Sequence, residues 1–441
     1  MTSADPRARR PASAKAAQSA ESAESAELAI AGGQPVRTRP WPTYEKGDVF
    51  MALEDEEAVV SAIRARRYFR YDDRPFEQTQ ARRLESRLCE TFGTRHALAC
   101  ASGTTALALA LLAFDLPPAS PVACPAFTFP ATPSAILLAG HHPVLVECDA
   151  DLHLDVGHLS QVLDDGARAV VVVHMRGYAS DVPAVVDLAH RRGVPVAEDA
   201  VPALGARLHG RYLGTFADFG AFSMQSDKSL NTGEGGFLLT DDTEAYARAV
   251  VYSGAYEGRM HRHFPGNVPA VDDLAYPIYG FRIDEIRAAL ASSLLDRLPP
   301  RLAAHRRNHD HAVAGLAGEE GIALRRPVAD GAYLGEALTF RLPGATPAEC
   351  GWFARAIAAE GIDARALGDP AGVNVRAFWH WRFLFGPDPG KARASLPRAA
   401  RYVGEAIDIP LSANLTAGDC DDLVAAVAKV AAAFRRYRVI T

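Results

Sequence analysis

The chain lacks three features that would place it in other classes of protein. No apolar run approaches the roughly 20 residues that a membrane-spanning helix needs. The six cysteines are spread widely, without a pair at a metal-ligand spacing, which predicts free and mostly buried thiols of a cytoplasmic protein. A basic surplus is lacking as well, because the formal net charge of -6 disfavours nucleic acid or an anionic membrane as a partner.

What the chain does have is length and apolar residues. Its 441 residues, of which 49% are hydrophobic, suffice for about two to three folding units with a sizeable core. Residues 1–27 differ from the rest, since they are rich in Ala, Ser, Glu and Arg and carry few large apolar side chains. This segment has no apolar stretch of the kind found in a secretory signal, and its composition predicts a disordered tail.

Short apolar runs alternate with helical stretches through residues 91–242. The β-branched runs at 170–173 and 194–197 are typical of strands that are buried on both faces. Helices are predicted between such runs, for example at 104–114 and 182–191. This alternation predicts an α/β fold with a mostly parallel, doubly wound sheet.

The pattern changes after about residue 298. Pro299 and Pro300 are expected to break the chain. A strand is predicted at 338–342, with helices at 347–360 and 419–437, which together indicate a smaller α+β domain. The predicted division is therefore a tail at 1–27, an N-terminal segment with a large domain at 28–298, and a small C-terminal domain at 299–441.

One lysine stands between a predicted strand and a glycine-rich turn. The segment runs Gly220-Ala221-Phe222-Ser223-Met224-Gln225-Ser226-Asp227-Lys228 and is followed by Thr232-Gly233-Glu234-Gly235-Gly236. Glycines let another group approach the backbone closely. Ser223 and Lys228 are suited to hold the phosphate and the aldehyde of one small molecule, although a single lysine is more often a solvated surface residue.

Two further segments have the chemistry of a ligand site. Asp199 follows an apolar run in Val196-Ala197-Glu198-Asp199-Ala200, at a strand end where open α/β sheets bind ligands. A protonated pyridine nitrogen would be a suitable partner for it; the alternatives are a helix cap or a structural ion pair. The run Ala101-Ser102-Gly103-Thr104-Thr105-Ala106 opens a predicted helix, whose first N–H groups bind phosphate, although Ser and Thr also stand there simply as caps.

A fourth segment completes a recognisable set. Two aromatic residues stand at a strand end in the segment Pro125-Ala126-Phe127-Thr128-Phe129-Pro130-Ala131-Thr132. One of them is suited to lie flat on a cofactor ring, although most such aromatics belong to the core. In this order and spacing, from about residue 69 to about residue 430, the segments resemble the DegT/DnrJ/EryC1/StrS family of sugar aminotransferases.

The resemblance implies a homodimeric fold-type I enzyme that depends on pyridoxal 5'-phosphate. Such an enzyme moves an amino group from glutamate or glutamine to a keto sugar, a nucleotide keto sugar or a cyclitol. Lys228 would hold the cofactor as a Schiff base and move protons, and Asp199 would hold the pyridinium nitrogen. The other cofactor-binding positions that it implies are Gly103, Thr104 and Ser223 at the phosphate and Phe129 on the ring.

A weaker resemblance concerns the branch that includes 8-amino-3,8-dideoxy-manno-octulosonate transaminase. It rests on Tyr68-Phe69-Arg70-Tyr71 and on His380-Trp381. Polar and aromatic groups in segments suited to line the substrate pocket are Tyr71, Arg176, Tyr178 and His380. Each of these is equally expected as a surface or interface residue.

Two positions depart from the family pattern. Pro202 stands where a glutamine or histidine usually lies beside the ring hydroxyl, and Gly280 stands where many members carry an asparagine that reaches the partner subunit's phosphate. Each change removes a hydrogen bond worth about 1.5 to 3 kcal/mol. Two alternatives therefore stay open: a sugar dehydratase that uses pyridoxamine phosphate, against which Lys228 argues because those enzymes carry histidine there, and a cofactor-binding regulatory or structural protein without turnover.

Overall fold

The computed structural model describes residues 27–42 and 50–440, and only the backbone at 437–440. The predicted tail lies outside this description except for its last residue. The helices up to residue 294 are α1 (Leu53–Arg64), α2 (Gln80–Phe92), α3 (Gly103–Ala113), α4 (Ala131–Leu138), α5 (Val156–Asp164), α6 (Val182–His190), α7 (Thr243–Gly254) and α8 (Glu285–Leu294). The strands of this part are β1 (His96–Cys100), β2 (Pro121–Pro125), β3 (His142–Val146), β4 (Ala169–Val173), β5 (Val196–Asp199), β6 (Arg207–Leu208), β7 (Arg211–Tyr212), β8 (Phe219–Ser223) and β9 (Gly236–Thr240).

Seven of these strands form one sheet in the order β1-β9-β8-β5-β4-β2-β3. The run β8-β5-β4-β2-β3 is parallel, and β9 is antiparallel to both of its neighbours. All five residues of β4 are buried, as a continuous β-branched run requires when helices cover both faces of the sheet. The predicted α/β fold with a mostly parallel sheet is confirmed.

A second sheet follows, with an antiparallel order β10-β11-β13-β12. Its strands are β10 (Ala323–Leu324), β11 (Ala337–Arg341), β12 (Arg365–Ala366) and β13 (Ala406–Pro410). The helices of this part are α9 (Leu298–Gly315), α10 (Pro347–Ala359), α11 (Arg382–Phe385), α12 (Pro389–Ser395), α13 (Pro397–Gly404) and α14 (Ala417–Ile440). Helices α10 and α14 pack with β11 and β13 around a hydrophobic cluster that includes Phe340, Phe353 and Ile407.

The expected break at Pro299 and Pro300 is wrong. Both prolines lie in the first turn of α9, which continues to Gly315. A proline is tolerated there because the first N–H groups of a helix have no acceptor within the helix, and its fixed φ suits the helical backbone. None of the helices that the structure describes is both long and apolar enough to cross a membrane.

Strand β5 lies two residues later than the apolar run suggested, since it spans Val196–Asp199. Glu198 and Asp199 therefore belong to the strand itself. Because successive strand residues point to opposite faces, these two carboxylates are directed to different surroundings. This shift decides which of them is available to a ligand.

Candidate active site

A cavity of about 590 Å³ opens at the carboxyl ends of the parallel strands. Val173, Asp199 and Ser223, the last residues of β4, β5 and β8, line it, and Pro410 at the end of β13 lines it from the second sheet. In open α/β sheets this is the edge at which ligands bind. The cavity therefore lies between the two sheets, at the position that the strand–helix alternation favours.

Two groups of residues face this cavity, one with a lysine and one with several arginines. The lysine wall consists of Gly103, Asp199, Ser223 and Lys228. The arginine wall consists of Arg176, Glu336, Asp363, Arg365 and Arg376. Four of the residues predicted for one cofactor site thus line one cavity, and Thr104 and Phe129 line it as well.

Lys228 lies in the loop between β8 and β9, and this loop is closed by hydrogen bonds at its base. The Met224 N–H donates to the Gly235 carbonyl over 2.8 Å. Asn231 joins the two sides of the loop, since its Nδ2 donates to the Ser226 carbonyl and its Oδ1 accepts from the Gly233 N–H, each over 2.9 Å. The loop is therefore held in shape while the half-buried lysine side chain faces the cavity.

Asp199 is held by two donors at the end of β5. Thr132 donates from Oγ1 to Asp199 Oδ2 over 2.8 Å, and the Val201 N–H donates to Oδ1 over 3.3 Å. The Thr132 hydroxyl lies 2.7 Å from the Thr128 hydroxyl, and because its own proton is directed to Asp199 it accepts from Thr128. No helix begins in the turns at 200–206, so the alternative of a helix cap for Asp199 is wrong.

The neighbouring carboxylate serves the backbone instead. Glu198 is fully buried and accepts from the Gly214 and Ala217 N–H groups, each over 2.7 Å. His174 Nδ1 accepts from the Ser180 N–H, so its Nε2 carries the proton and donates to Glu198 over 2.9 Å. Glu198 is thus fully occupied, and Asp199 is the member of the pair that faces the cavity.

Burial raises the pKa of Asp199 above its ordinary value. The hydrogen bonds from Thr132 and Val201 and the positive charge of Lys228 act in the opposite direction but do not outweigh it. A cationic group bound next to this carboxylate would stabilise its charged form. The site is therefore electrostatically suited to a ligand with a protonated nitrogen.

The start of α3 forms a close cradle beside Ser223. Ser102 caps the helix by accepting from the Thr105 N–H over 3.1 Å, which leaves the Gly103 and Thr104 N–H groups without an acceptor inside the helix. A Cβ at Gly103 would lie 2.8 Å from Ser223 Cβ, and one at Gly236 would lie 2.4 Å from the Ser102 carbonyl. Only glycines let these backbone segments lie so close together. The close contact brings the N–H groups at the start of α3 next to the Ser223 hydroxyl, and such a group of donors suits an anion.

The two aromatics of the fourth segment are placed differently. Phe127 is buried in the core, whereas Phe129 is 49% exposed and lines the cavity. Of the two departures from the family pattern, Pro202 lines the cavity and Gly280 does not. Pro202 has no side-chain donor, whereas the Thr128–Thr132 pair directs a hydroxyl group to Asp199.

Of the four candidate substrate residues, the structure brings only Arg176 to the cavity. Tyr71 is buried and its hydroxyl lies 2.8 Å from His263 Nε2, while the buried Tyr178 hydroxyl lies 2.7 Å from His309 Nε2. His380 is half-buried beside Trp379, outside the cavity lining. Three candidates therefore take part in packing within this chain, and their substrate role stays a prediction.

Arg176 adopts an unusual backbone conformation at the cavity edge. Its φ of 57° lies in the left-handed region, which a bulky side chain seldom occupies. Its guanidinium Nε donates to Asp408 over 2.8 Å and its Nη1 lies 3.6 Å from Glu336. Burial opposes the charged form of Asp408, but the positive charges of Arg176 and Arg376, together with the hydrogen bond from Arg176, hold the pKa of Asp408 below its ordinary value.

Most residues of the arginine wall were not predicted from the sequence. Glu336, Asp363, Arg365 and Arg376 lie in the second half of the chain; Asp363 and Arg365 share one segment, and no motif connects them with the other two. Thr132 was part of a quoted segment, but nothing in the sequence connects it with Asp199, which is 67 positions away. Contacts between residues so far apart are visible only in the folded chain.

Comparison with known proteins agrees with this geometry. The model of the DegT/DnrJ/EryC1/StrS aminotransferase family matches residues 75–428. L-glutamine:2-deoxy-scyllo-inosose aminotransferase from Streptomyces lividus is 34% identical over 300 residues, which cover 67% of this chain and 69% of that protein. GDP-perosamine synthase from Caulobacter vibrioides is 29% identical over 356 residues, or 79% and 89% of the two chains. A relative from Micromonospora echinospora is 32% identical over 274 residues, so the chain spans 62% of its length.

Solved structures show the same fold. The crystal structure of S. venezuelae DesV in complex with a ketimine intermediate superposes with a TM-score of 0.74 at 26% identity, over 89% of this chain and 99% of that chain. 3-Amino-5-hydroxybenzoic acid synthase superposes with a TM-score of 0.73 over 92% of this chain and 100% of that chain, at 22% identity.

The fold, the site and these matches identify the class of protein: this is an aminotransferase with the fold of the pyridoxal-phosphate-type sugar aminotransferases. The chain belongs to the DegT/DnrJ/EryC1/StrS aminotransferase family. The family and the class of enzyme inferred from the motifs are thereby confirmed. The weaker resemblance to the octulosonate transaminase branch stays a prediction.

Proposed function

We propose that this chain binds pyridoxal 5'-phosphate covalently through Lys228 and transfers an amino group from glutamate or glutamine to a keto sugar, a nucleotide keto sugar or a cyclitol. The observation that carries the proposal is the arrangement of the lysine wall. An amine, a buried carboxylate and an anion cradle face one cavity at the carboxyl edge of the sheet.

The residues present fit this cofactor. Its phosphate suits the Gly103 and Thr104 N–H groups and the Ser223 hydroxyl, which is the anion cradle that only a glycine at 103 permits. Its ring nitrogen suits Asp199, and its ring face suits the exposed side chain of Phe129. Lys228 is the only one of the five lysines of the chain that lines this cavity in the part that the structure describes.

Each of these side chains has a separate task. When bound, the cofactor supplies an aldehyde that links to amines and a ring that accepts an electron pair. The Lys228 amine holds the cofactor and then carries a proton to and from the reacting carbon. Asp199 keeps the proton on the ring nitrogen, and the Thr128–Thr132 chain of hydroxyls keeps the Asp199 carboxylate in place.

The relatives support the proposed substrate class. Their names describe amino transfer from L-glutamine to an inosose and the synthesis of a GDP-linked amino sugar. We therefore assign this chain to the biosynthesis of an amino sugar or of a specialised metabolite with an amino cyclitol. Pro202 and the absence of a side chain at Gly280 leave fewer protein donors around the cofactor, which is consistent with a moderate cofactor affinity.

The family resemblance also leads us to propose a cytoplasmic homodimer with the site near the subunit interface. Several large apolar side chains are exposed on one stripe of α1, namely Leu53, Val60 and Ile63. Exposed apolar clusters of this kind are typical of protein interfaces. A fully active monomer in sedimentation experiments would contradict the dimer.

Spectroscopy tests the proposed function. The purified holoenzyme should absorb near-visible light, lose this band with L-glutamine or L-glutamate, and regain it with a ketone from a panel of keto sugars and cyclitols. Stable absorbance with every amino donor would contradict amino transfer and favour a cofactor-binding protein without turnover. Release of water from a sugar, with no amino product, would favour a dehydratase.

A further inference from the structure

Strand β1 is one edge of the seven-stranded sheet, because β9 is its only neighbour among the described strands. An edge strand has backbone N–H and C=O groups that point away from the sheet, and in an antiparallel pair they belong to alternate residues. The Tyr246 hydroxyl donates to the Ala97 carbonyl over 3.2 Å. Just after the strand, the Ala101 N–H donates to the Phe281 carbonyl over 2.8 Å. Ala99 lies between these two positions, and charged side chains bind it.

A buried ion pair holds both backbone polar groups of Ala99. Arg70 donates from Nη2 to Glu85 Oε1 over 2.7 Å and from Nη1 to the Ala99 carbonyl over 3.1 Å. Glu85, which belongs to α2, also accepts from the Ala99 N–H at Oε1 over 3.0 Å. Both charged side chains are fully buried. We call Arg70 and Glu85 the edge clamp, since they bind β1 on the side where a further strand would otherwise pair.

Stability alone does not account for the edge clamp. Burial of two charges is costly, and apolar side chains of similar volume often stabilise a protein as well or better. Arg70 Nε and Glu85 Oε2 are buried and have no hydrogen-bond partner in the part of the chain that the structure describes. The pair is therefore incompletely satisfied, whereas both of its contacts to Ala99 are made. These contacts fix the place of the Ala99 backbone.

The position of Ala99 matters because β1 leads into the anion cradle at Gly103. Cys100 pairs with Gly236 of β9, and Gly236 pairs with Ser223 at the end of β8. The three strand ends therefore lie side by side, and the gap between the start of α3 and Ser223 depends on where β1 lies. This gap is narrow, since a Cβ at Gly103 would lie 2.8 Å from Ser223 Cβ. A lateral shift of β1 would move the N–H groups of α3 relative to the Ser223 hydroxyl.

We infer that the edge clamp positions the anion cradle for the cofactor phosphate. This inference rests on the proposed function, because it takes Gly103, Thr104 and Ser223 to bind that phosphate. Arg70 and Glu85 are positioning residues: neither lines the cavity, and both act through the backbone of β1. Hydrogen bonds weaken steeply when the donor is displaced or misdirected, so the position of the strand decides how well the donors of the cradle meet an anion.

A chain of neutral groups supports the same edge. Burial lowers the pKa of His263 well below its ordinary value, and the positive charge of Arg70 acts in the same direction, so the ring is neutral. Because the Tyr246 hydroxyl gives its proton to the Ala97 carbonyl, it accepts from His263 Nδ1 over 2.8 Å. His263 Nε2 then accepts from the Tyr71 hydroxyl over 2.8 Å. Arg70 and Tyr71, which are adjacent in the sequence, thus both act on the outer edge of β1.

The affinities of the apoenzyme for pyridoxal 5'-phosphate and for pyridoxal, which lacks the phosphate, test the inference. Fluorescence titration gives both dissociation constants, and their ratio measures what the phosphate adds to binding. The variant Arg70→Met/Glu85→Met removes both charges together and so leaves no unpaired buried charge, while Arg70→Lys keeps the charge but loses the planar donors. We expect the ratio to fall about 10-fold in the double variant and about 3-fold in Arg70→Lys, with the affinity for pyridoxal unchanged.

Glu360→Met/Lys429→Met is the matched control. Lys429 Nζ donates to the buried Glu360 carboxylate over 2.9 Å, and this carboxylate also accepts from the Ala29 and Val36 N–H groups over 2.9 and 3.0 Å. The pair therefore holds a backbone segment as the edge clamp does. It joins the end of α10 to α14, outside the cavity lining. The control should keep the wild-type ratio of the two affinities, and melting curves of all variants show which of them are folded.

The wild-type ratio in the folded double variant would overturn the inference, and so would an equal fall of the ratio in the control. If the double variant does not fold, Arg70→Lys decides in the same way. A wild type that binds both compounds equally well would also contradict the inference, because the cradle would then not bind the phosphate. Failure of the proposed function has a different signature: the preference for the phosphate and its dependence on Arg70 persist, but no amino group is transferred to any acceptor.

Discussion

The two walls of the cavity are built in opposite ways. The lysine wall presents one amine, one carboxylate and the N–H groups of a helix start, and its side chains are braced by neutral donors such as Thr132 and the loop amides. The arginine wall is held by ion pairs: Arg176 pairs with Asp408, 232 positions away in the sequence, and Arg365 pairs with Asp363 in the same segment. In the first wall the reactive groups remain available to a ligand, whereas in the second the guanidinium groups of Arg176 and Arg365 lie against carboxylates.

This contrast leads to different expectations for variants. A change in the lysine wall should alter chemistry or cofactor binding and leave the fold largely intact. A change in the ion pairs of the arginine wall should alter stability first, because it leaves a buried charge without its partner. Variants of the two walls, compared for rate and for melting temperature, test the distinction.

The largest effect is expected for Lys228→Ala. The covalent link and the proton transfers both require a primary amine at this position. The variant should lose the near-visible absorbance and about 1000-fold or more of the rate of amino transfer. Lys391→Ala, at an exposed lysine of α12, is the matched control and should keep both. Full activity of Lys228→Ala would end the assignment of the lysine wall.

Asp408→Asn should have the next largest effect, on stability rather than on rate. Asp408 is 1% exposed and is the partner of the buried Arg176 guanidinium. Removal of one member of a buried ion pair typically costs about 3 to 5 kcal/mol. Chemical denaturation should show this loss, while Asp369→Asn, which breaks the more exposed pair with Arg355, should cost about 1 kcal/mol or less.

The pH dependence of the same pair has a definite sign. The pKa of Asp408 in the folded chain is lowered, so its contribution to stability is fully present above the unfolded value of about 4. That contribution is lost as the pH falls through the lower folded value. Denaturation of the wild type should therefore become easier in acid, and Asp408→Asn should lack this part of the acid dependence. Parallel acid curves for the two proteins would contradict the ion-pair account.

Asp199→Ala should lower kcat by about 100-fold or more while some covalent attachment through Lys228 persists. The carboxylate keeps the ring nitrogen protonated, and its removal leaves the ring a poorer electron acceptor. Asp199→Glu should keep part of the activity because the charge survives at a changed distance. Both kcat and the melting temperature should be measured on Asp199→Ala. A near-normal kcat with a lowered melting temperature would show that Asp199 is a structural residue.

Gly103→Ala should have the smallest effect of the set. Its Cβ would lie 2.8 Å from Ser223 Cβ, so the start of α3 and β8 must move apart and the cradle must open. We expect the cofactor to bind about 10-fold more weakly, as measured by fluorescence titration of the apoenzyme. Gly418→Ala, at the start of α14 where a Cβ meets only ordinary contacts, should not change cofactor affinity. Unchanged affinity in both variants would remove Gly103 from the phosphate site.

The sequence predicted the lysine wall because its residues belong to short consecutive segments that end strands or begin helices. The strands were visible as apolar runs, since burial on both faces requires them. The arginine wall was not predictable, because arginines and carboxylates are common throughout the chain and the fold decides which of them pair, as Arg176 does with Asp408. Pro299 and Pro300 were misinterpreted because a pair of prolines fits a chain break and the first turn of a helix equally well.

The central claim is that Lys228 carries the cofactor, and it is tested most directly by borohydride reduction of the wild-type holoenzyme followed by peptide mass mapping. The chain has only five lysines, which makes the assignment unambiguous. We expect the reduced pyridoxal phosphate mass on the peptide that contains Lys228 and on no other. Modification of a different lysine, or no modification at all in a protein that absorbs near-visible light, would contradict it.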